Sequence, residues 1–315
     1  MPILQKVPAP SVRGGRTTIA PVPDTTTLNG SGLPATVMNA CLREGRGGSP
    51  TAVLDETALS DDERRAVPVL MGTSHAVFVS VEDSGQDGPD VSLRFFTAAG
   101  ELPACGHGTV AALAFLAECG GGKECQATVR TLGGVFTGRV ARVNGQFKAA
   151  FEPGFVDVCE PAVGEHDSVL HALGVTPDTL APGTCVASLG RPRLLAPMST
   201  RSALAALAPD FDRLRDACDR LGLLGCYVYC VPTVEGRVTA RMFAPSIGVP
   251  EDIANANSTA CLAACLAREG MTDITVDMGD ALSAPSTITA AAWQSEAGPR
   301  VHVGGTATIA RVVRL

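Results

Sequence analysis

Residues 91–118 read VSLRFFTAAGELPACGHGTVAALAFLAE, and residues 238–269 read VTARMFAPSIGVPEDIANANSTACLAACLARE. Each stretch begins as a β-rich run carrying Arg-x-Phe, passes through a Gly/Pro loop and ends in an Ala/Leu segment with helical spacing. Two strand–loop–helix units in the same order point to an internal half-repeat. The two helices, about 107–118 and 257–268, carry almost no charge until their last residues, so each is expected to be surrounded by protein on every side. Alternating, Gly-punctuated strand segments follow them, Val129 to Val143 and Val301 to Val313. Each half therefore reads as a curled sheet around a central helix, an α+β fold of two pseudo-symmetric halves.

Working outward, amphipathic helices near Asp61 to Met71 and near Thr200 to Leu221 would cover the outside of the sheets. Around residues 152–165 the periodicity is broken by Pro153, Gly154, Pro161, Gly164 and several acids, which sets a junction between a domain 36–155 and a domain 156–315. The last strand can return to the first domain. Residues 1–35 are rich in Pro, Thr and Gly and read as a flexible tail. Lys6, Arg13 and Arg16 precede the first acid, Asp24, as in an organellar transit segment, but Pro2, Pro8, Pro10, Pro21 and Pro23 would interrupt the amphipathic helix such a segment needs.

Composition narrows the function classes. The chain has 315 residues, 45% apolar but only 4% aromatic, with 34 glycines, so its cores are filled with Ala, Val and Leu rather than rings. The net charge is -7 and the 25 Lys and Arg residues are scattered, which leaves no basic stripe for a nucleic acid. No apolar run approaches the roughly 18–20 residues of a membrane helix, and the start lacks a secretory h-region, so a cytoplasmic protein is expected. Eleven cysteines in such a chain read as reduced thiols. No C-x-x-C pair occurs, and the closest spacings, Cys226 with Cys230 and Cys261 with Cys265, have no histidine nearby in sequence, so no metal is expected. Cys261 and Cys265, one helical turn apart, read as core packing.

The chemistry is concentrated at the two loop–helix junctions. In PACGHGT, residues 103–109, a cysteine, a histidine and two glycines stand at the start of a buried helix, where free amides and the helix dipole favour an anion by ~0.3–1 kcal/mol each, and more when desolvated. In EDIANANST, residues 251–259, Glu251 and Asp252 precede the second helix start. With the halves related by a pseudo-twofold, both junctions open onto one cleft able to hold a small carboxylate substrate.

The segment GELPACGHGTVAAL (100–113) resembles the E-L-P-x-C-G-H-A-T stretch of PhzF-like isomerases, named for phenazine biosynthesis. REGRGGSPTAVL (43–54), VPVLMGTSHAVFV (67–79) and RMFAPSIGVPEDIANANSTACLAACLA (241–267) resemble further segments of that family in the same order, so that residues 36–313 are covered. The resemblance implies the diaminopimelate epimerase architecture, usually a homodimer, and isomerisation or epimerisation by acid–base chemistry without a cofactor. Position by position, it implies polar active-site roles for His107 and Asp252, and carboxylate binding by the amides around Gly106, Gly108 and Thr109. Where the family keeps the acid/base Glu of S-E-T, this chain has His75, preceded by Ser74. An imidazole titrates near neutral pH unperturbed, pKa roughly 6.5, so His75 can still shuttle a proton, or the role has been lost. Two other segments depart: Gly48-Ser49-Pro50 replaces G-N-P, and Ile253-Ala254-Asn255-Ala256-Asn257-Ser258 replaces P-A-T-G-S-A. Ser49, Asn255 and Asn257 are thereby candidate substrate contacts.

Plainer readings stand beside these. Cys105 sits where thiol epimerases of this fold keep a base, yet no cysteine occupies the partner position near Asn255, which leaves it either a direct thiol base or a packing group. His107 could cap its helix, and Asp252 could be a capping acid. Arg94 and Arg241 repeat at matched strand positions as ion-pair or carboxylate ligands. His166, His171 and His302 have no pattern around them, and Gly120-Gly121-Gly122 is a turn. Three functions follow: a proton-moving isomerase acting on a small carboxylate metabolite, with secondary metabolism suggested by the Ala/Gly/Arg-rich composition; a thiol-dependent racemase using Cys105; or a catalytically silent binding protein.

Overall fold

The computed structural model describes residues 28, 32–56, 58–82, 88–162, 164–296 and 298–315. Most of the expected tail, 1–27 and 29–31, lies outside the described residues. Its end does not behave as a tail: Leu28 is buried, and the first strand begins at Pro34 with Ala35 already in the core.

The first half runs β1 (Pro34–Ala40), β2 (Ser49–Asp55), α1 (Asp61–Met71), β3 (His75–Glu82), β4 (Asp90–Thr97), β5 (Gly100–Leu102), α2 (Gly106–Cys119), β6 (Cys125–Thr131), β7 (Gly134–Val143) and β8 (Gln146–Phe151). The second half runs β9 (Asp157–Cys159), α3 (Asp167–Leu173), β10 (Cys185–Leu189), β11 (Arg191–Met198), α4 (Arg201–Ala206), α5 (Phe211–Leu221), β12 (Cys226–Cys230), β13 (Arg237–Ala244), β14 (Val249–Asp252), α6 (Ala256–Ala267), β15 (Asp273–Met278), β16 (Ser286–Ser295) and β17 (Gly298–Arg314).

In the first half, β1, β2, β3, β4, β6, β7, β8 and the far part of β17 pair in a ring that closes on itself. The second half repeats the pattern in the order β9, β10, β11, β12, β13, β15, β16 and the near part of β17. Both contain two parallel pairs reached by crossovers, β2 with β3 and β4 with β6, β11 with β12 and β13 with β15. α2 and α6 are the crossovers that run through the interior. They are Ala-rich and buried nearly throughout, because a curled sheet leaves room inside only for a helix of small side chains. One apolar core embraces both helices, with Val110 and Leu113 on one and Leu262 and Leu266 on the other. Burial of each such large aliphatic side chain contributes about 1.5–3 kcal/mol.

α1 covers the outside of the first sheet and α3, α4 and α5 cover the second. α1 starts at Ser60, whose side chain accepts from the Glu63 amide while the Glu63 carboxylate accepts from the Ser60 amide, a reciprocal cap. The single helix expected over Thr200–Leu221 is two. Pro209 cannot donate to the helix ladder, and the Asp210 carboxylate instead caps a new start by accepting from the Arg213 amide at 3.1 Å.

The halves are sewn together by β17. Its residues 298–304 pair with β16, 305–307 with β8 and 307–314 with β1, so its last ten residues belong with the first half. Polar contacts reinforce the seam: Glu152 pairs with Arg300 at 2.9 Å and accepts from His302 Nε2 at 2.7 Å, and Arg43 reaches Asp280 at 2.7 Å. All eleven cysteines are free. Cys261 is in the core, whereas Cys265 is half-buried beside Cys185, with the sulfurs 2.8 Å apart. No helix among the described residues is long and apolar enough to cross a membrane.

Candidate active site

The two internal helices begin against each other. A Cβ built on Gly106, the first residue of α2, would lie 2.6 Å from the Cβ of Ala256, the first of α6, and 3.0 Å from the Asn257 nitrogen. The two starts are not equivalent. Asn255 caps α6, accepting from the Ser258 amide at 2.8 Å. No side chain caps α2, so its first-turn amides are left for a ligand, at the end where the dipole favours negative charge.

Above this junction lie two histidines from different elements, His75 at the start of β3 and His107 in the first turn of α2, 3% and 2% exposed. Their rings meet edge to face, centroids 4.5 Å apart, with His107 Nε2 3.1 Å from His75 Nδ1. His107 Nδ1 is 2.7 Å from the Ala254 carbonyl, which can only accept, so Nδ1 carries a hydrogen and Nε2 is the nitrogen left to gain or lose one. The same Nε2 is 3.5 Å from Cys105 Sγ. Ser74 Oγ, 2.9 Å from His75 Nδ1, can donate or accept and so suits either state of that nitrogen. His75 Nε2 has no protein partner among the described residues, and the ring lines the cleft.

The two imidazoles are driven apart in acidity. Burial, and then the proximity of His107, pushes His75 well below its ordinary 6.5. Burial also opposes charge on His107, but the neighbouring Cys105 sulfur, the Asp252 carboxylate and the hydrogen bonds to Cys105 and Ala254 outweigh it and raise His107 to about 10. A cation on His107 donating to a neutral His75 through the 3.1 Å contact satisfies both.

Asp252 ends β14 and is 6% exposed. Its carboxylate accepts from Asn255 Nδ2 at 2.9 Å and from the Ala254 amide at 3.4 Å, and lies 4.0 Å from His107 Nδ1. The helix-capping role open to Asp252 in the sequence falls to Asn255 instead. Cys105, Gly106, Thr109, Asn255 and Asn257 line the cleft beside the histidines. Ser49 and Gly108 do not: the Ser49 hydroxyl is buried without a partner, and Gly108 packs where a Cβ would meet Phe95 and Cys105. Ser74 is not on the cleft wall either and touches it only through its hydroxyl against His75 Nδ1.

Arg94 and Arg241 are engaged elsewhere. Arg94 forks onto Glu101 at 2.8 and 2.7 Å, and Arg241 onto Glu251 at 2.9 and 2.8 Å, each stacked on the Phe of its own Arg-x-Phe. The repeat thus carries one structural clasp in each half. Two residues escaped the sequence reading. Arg193 of β11 lines the cleft at 2% exposure, hidden in sequence within an unremarkable RPR. Cys41, at the end of β1, is buried behind the site, and burial, helped by Asp252 and Cys105, pushes its thiol far up, so it stays protonated.

His75, Cys105 and His107 also bring one ligand atom each to within 4.8 Å of one another. Two imidazoles and a thiol form a donor set suited to Zn²⁺, and His107 already gives its second N–H to a backbone carbonyl as metal-bound histidines do. The spacing search along the sequence missed this set because His75 arrives from another strand.

Residues 42–312 match the family described as phenazine biosynthesis-like protein, PhzC-PhzF. The uncharacterized isomerase YddE of Escherichia coli K12 is 28% identical over 224 residues, 70% of this chain and 74% of that protein. A trans-2,3-dihydro-3-hydroxyanthranilate isomerase of Pseudomonas fluorescens is 28% identical over 267 residues, 82% of this chain and 90% of the relative. Among solved structures, a Pseudomonas aeruginosa protein described as a predicted epimerase superposes with a TM-score of 0.76 at 25% identity, covering 90% of this chain and 99% of that one.

Proposed function

The chain belongs to the phenazine biosynthesis-like family, and from that premise we propose that it is a cofactor-independent isomerase that moves a proton, and with it a double bond, within a small carboxylate-bearing metabolite. The observation that carries the reading is the 3.1 Å contact from His107 Nε2 to His75 Nδ1 inside the cleft. His75 stands in for the glutamate of the family as the group that meets the substrate.

The substrate's carboxylate rests on the uncapped first-turn amides of α2, which fixes the reacting carbons over His75. With His107 charged, its Nε2–H donates to His75 Nδ1, so the hydrogen of His75 sits on Nε2 and faces the substrate. As Nε2 gives this proton to one carbon, Nδ1 takes the proton of His107. The pair, now one proton poorer, accepts a proton from a second carbon at Nε2 and returns one to His107 through Nδ1. Protein and proton count are restored, and the double bond has moved. The differing acidities of the two rings keep the resting proton on His107 and the working one on His75. Asp252, 4.0 Å from His107, balances the charge. The working form is taken to be a cytoplasmic homodimer with a role in secondary metabolism.

The test is hydrogen exchange at the ligand. Small cyclic and unsaturated carboxylic acids are incubated with the protein in deuterium oxide and followed by NMR. Deuterium entering a carbon-bound position of any of them, lost in His75→Gln, supports the isomerase; tight binding of an acid with no exchange favours a silent binding protein of the same fold. Inactivation by iodoacetamide that substrate prevents would move the chemistry to Cys105.

A further inference from the structure

Arg64, Arg94 and Arg241 each have a carboxylate of their own. Arg241 holds Glu251, Arg94 holds Glu101, and Arg64, 6% exposed, holds Glu56 and Asp61. Arg193 breaks the pattern. It is 2% exposed, yet among the described residues no carboxylate lies within ion-pair distance. Its partners are neutral: Ser258 Oγ at 3.3 Å and the backbone carbonyls of Leu189 at 3.3 Å and Arg191 at 2.9 Å. Its Nε is buried without any partner. Arg193 also lines the cleft and touches the first turn of α6 at Ser258, so a whole positive charge is added to the positive end of a helix dipole. Asn255 and Asp252 temper the helix start, but among the described residues no carboxylate comes within 4.0 Å of the guanidinium itself. A guanidinium removed from water without a counter-charge is strongly disfavoured unless a ligand supplies the anion.

We infer that Arg193 is the second anion site of the cleft, and that the substrate is a small diacid. This rests on the isomerase reading for the position of the first carboxylate on α2. The second anionic group, a carboxylate, is held from the wall of the second half by the charge of Arg193 and by the one Nη1 hydrogen that Ser258 leaves over, since both Nη2 hydrogens already go to the carbonyls of Leu189 and Arg191. The diacid would then span the cleft, one end on each half, with the carbons between them over His75. The two halves read the two ends of the ligand, and the arginine sets which acids fit.

The experiment measures binding apart from turnover. Fumarate, glutaconate and cis,cis-muconate are titrated by calorimetry against the protein, alongside their monomethyl esters as matched monoacids. The expected result is a diacid at least about 10-fold tighter than its monoester, the scale of a charged hydrogen-bonded contact. Arg193→Met is expected to erase that preference while leaving the monoester's affinity in place, and Arg193→Lys to restore part of it. Equal binding of diacid and monoester to the unaltered protein would overturn the inference. So would a monoester that weakens in Arg193→Met as much as the diacid does, since that puts a single carboxylate on the arginine. Should Arg193→Met fail to fold, judged by circular dichroism, the comparison in the unaltered protein and in Arg193→Lys decides. Diacid selectivity without any deuterium exchange would sink the isomerase reading and leave the anion site standing.

Discussion

Gly106 and Ala256 approach so closely that only hydrogen fits on the glycine: a methyl there would stand 2.6 Å from the alanine's own. The contact joins the starts of two helices from opposite halves and sets the floor of the cleft. Gly106→Ala should therefore cost about 1–3 kcal/mol of stability through overpacking, despite the better helix propensity of alanine. A lowered urea midpoint with an unchanged slope is the expected observation, together with weaker acid binding as the α2 amides are pushed out of place.

Removal of the imidazole that faces the cleft should stop the chemistry and spare the fold. His75→Ala is expected to lower turnover by at least ~100-fold, the low end for a general acid–base group, with the circular dichroism spectrum retained. His107→Asn should lower it too, by breaking the relay behind His75. Full activity in His75→Ala would remove that residue from the mechanism.

The two histidines should leave opposite marks on stability against pH. His107 is raised in the folded protein to about 10, so folding favours its protonated form; its contribution is whole below the unfolded value near 6.5 and is lost as pH rises toward 10. His75 is lowered, so the unfolded chain binds the proton more readily, and stability falls as the pH drops below about 6.5. Denaturation midpoints across pH 5–10 should decline on both flanks. His107→Asn should flatten the alkaline flank and His75→Gln the acid one.

Zn²⁺ should inhibit. Bound by His75, Cys105 and His107 it would occupy the nitrogens that carry the proton, and chelation should restore turnover. Cys105→Ser should weaken the inhibition by at least about 10-fold. Inhibition unchanged in that variant would place the metal elsewhere, with the close pair Cys185 and Cys265 the first suspect.

Much of this architecture was legible because it is periodic. Uncharged Ala/Leu stretches can only be internal helices, and the repeated Arg-x-Phe marks the strands before them; the clasps Arg94–Glu101 and Arg241–Glu251 explain why that pattern occurs twice. The amphipathic pattern also placed α1 near Asp61 to Met71. What was not legible is whatever depends on three-dimensional closure. The pairing of His75 with His107 spans 32 residues. The burial of Arg193 depends on β11 sitting beside α6, and nothing in RPR distinguishes a buried guanidinium from a solvated one. The break at Pro209 was visible in principle but was overridden by the amphipathic pattern on either side. Ser49 was placed near the site by resemblance, yet the strand register turns it inward, away from the cleft.

The long final strand bears on how the chain is made. A ribosome releases β1 to β8 first, but the stave between β1 and β8 is residues 305–314, which follow the whole of the second half. Until they emerge, the nascent first barrel has two unpaired edges facing each other across a gap, and its greasy helix has a missing wall. Such edges recruit any extended segment nearby, and closure must await contacts separated by nearly the whole sequence, a slow event by chain topology. The ring of the first half, and with it one wall of the cleft, therefore closes only after β17 has emerged behind the second half.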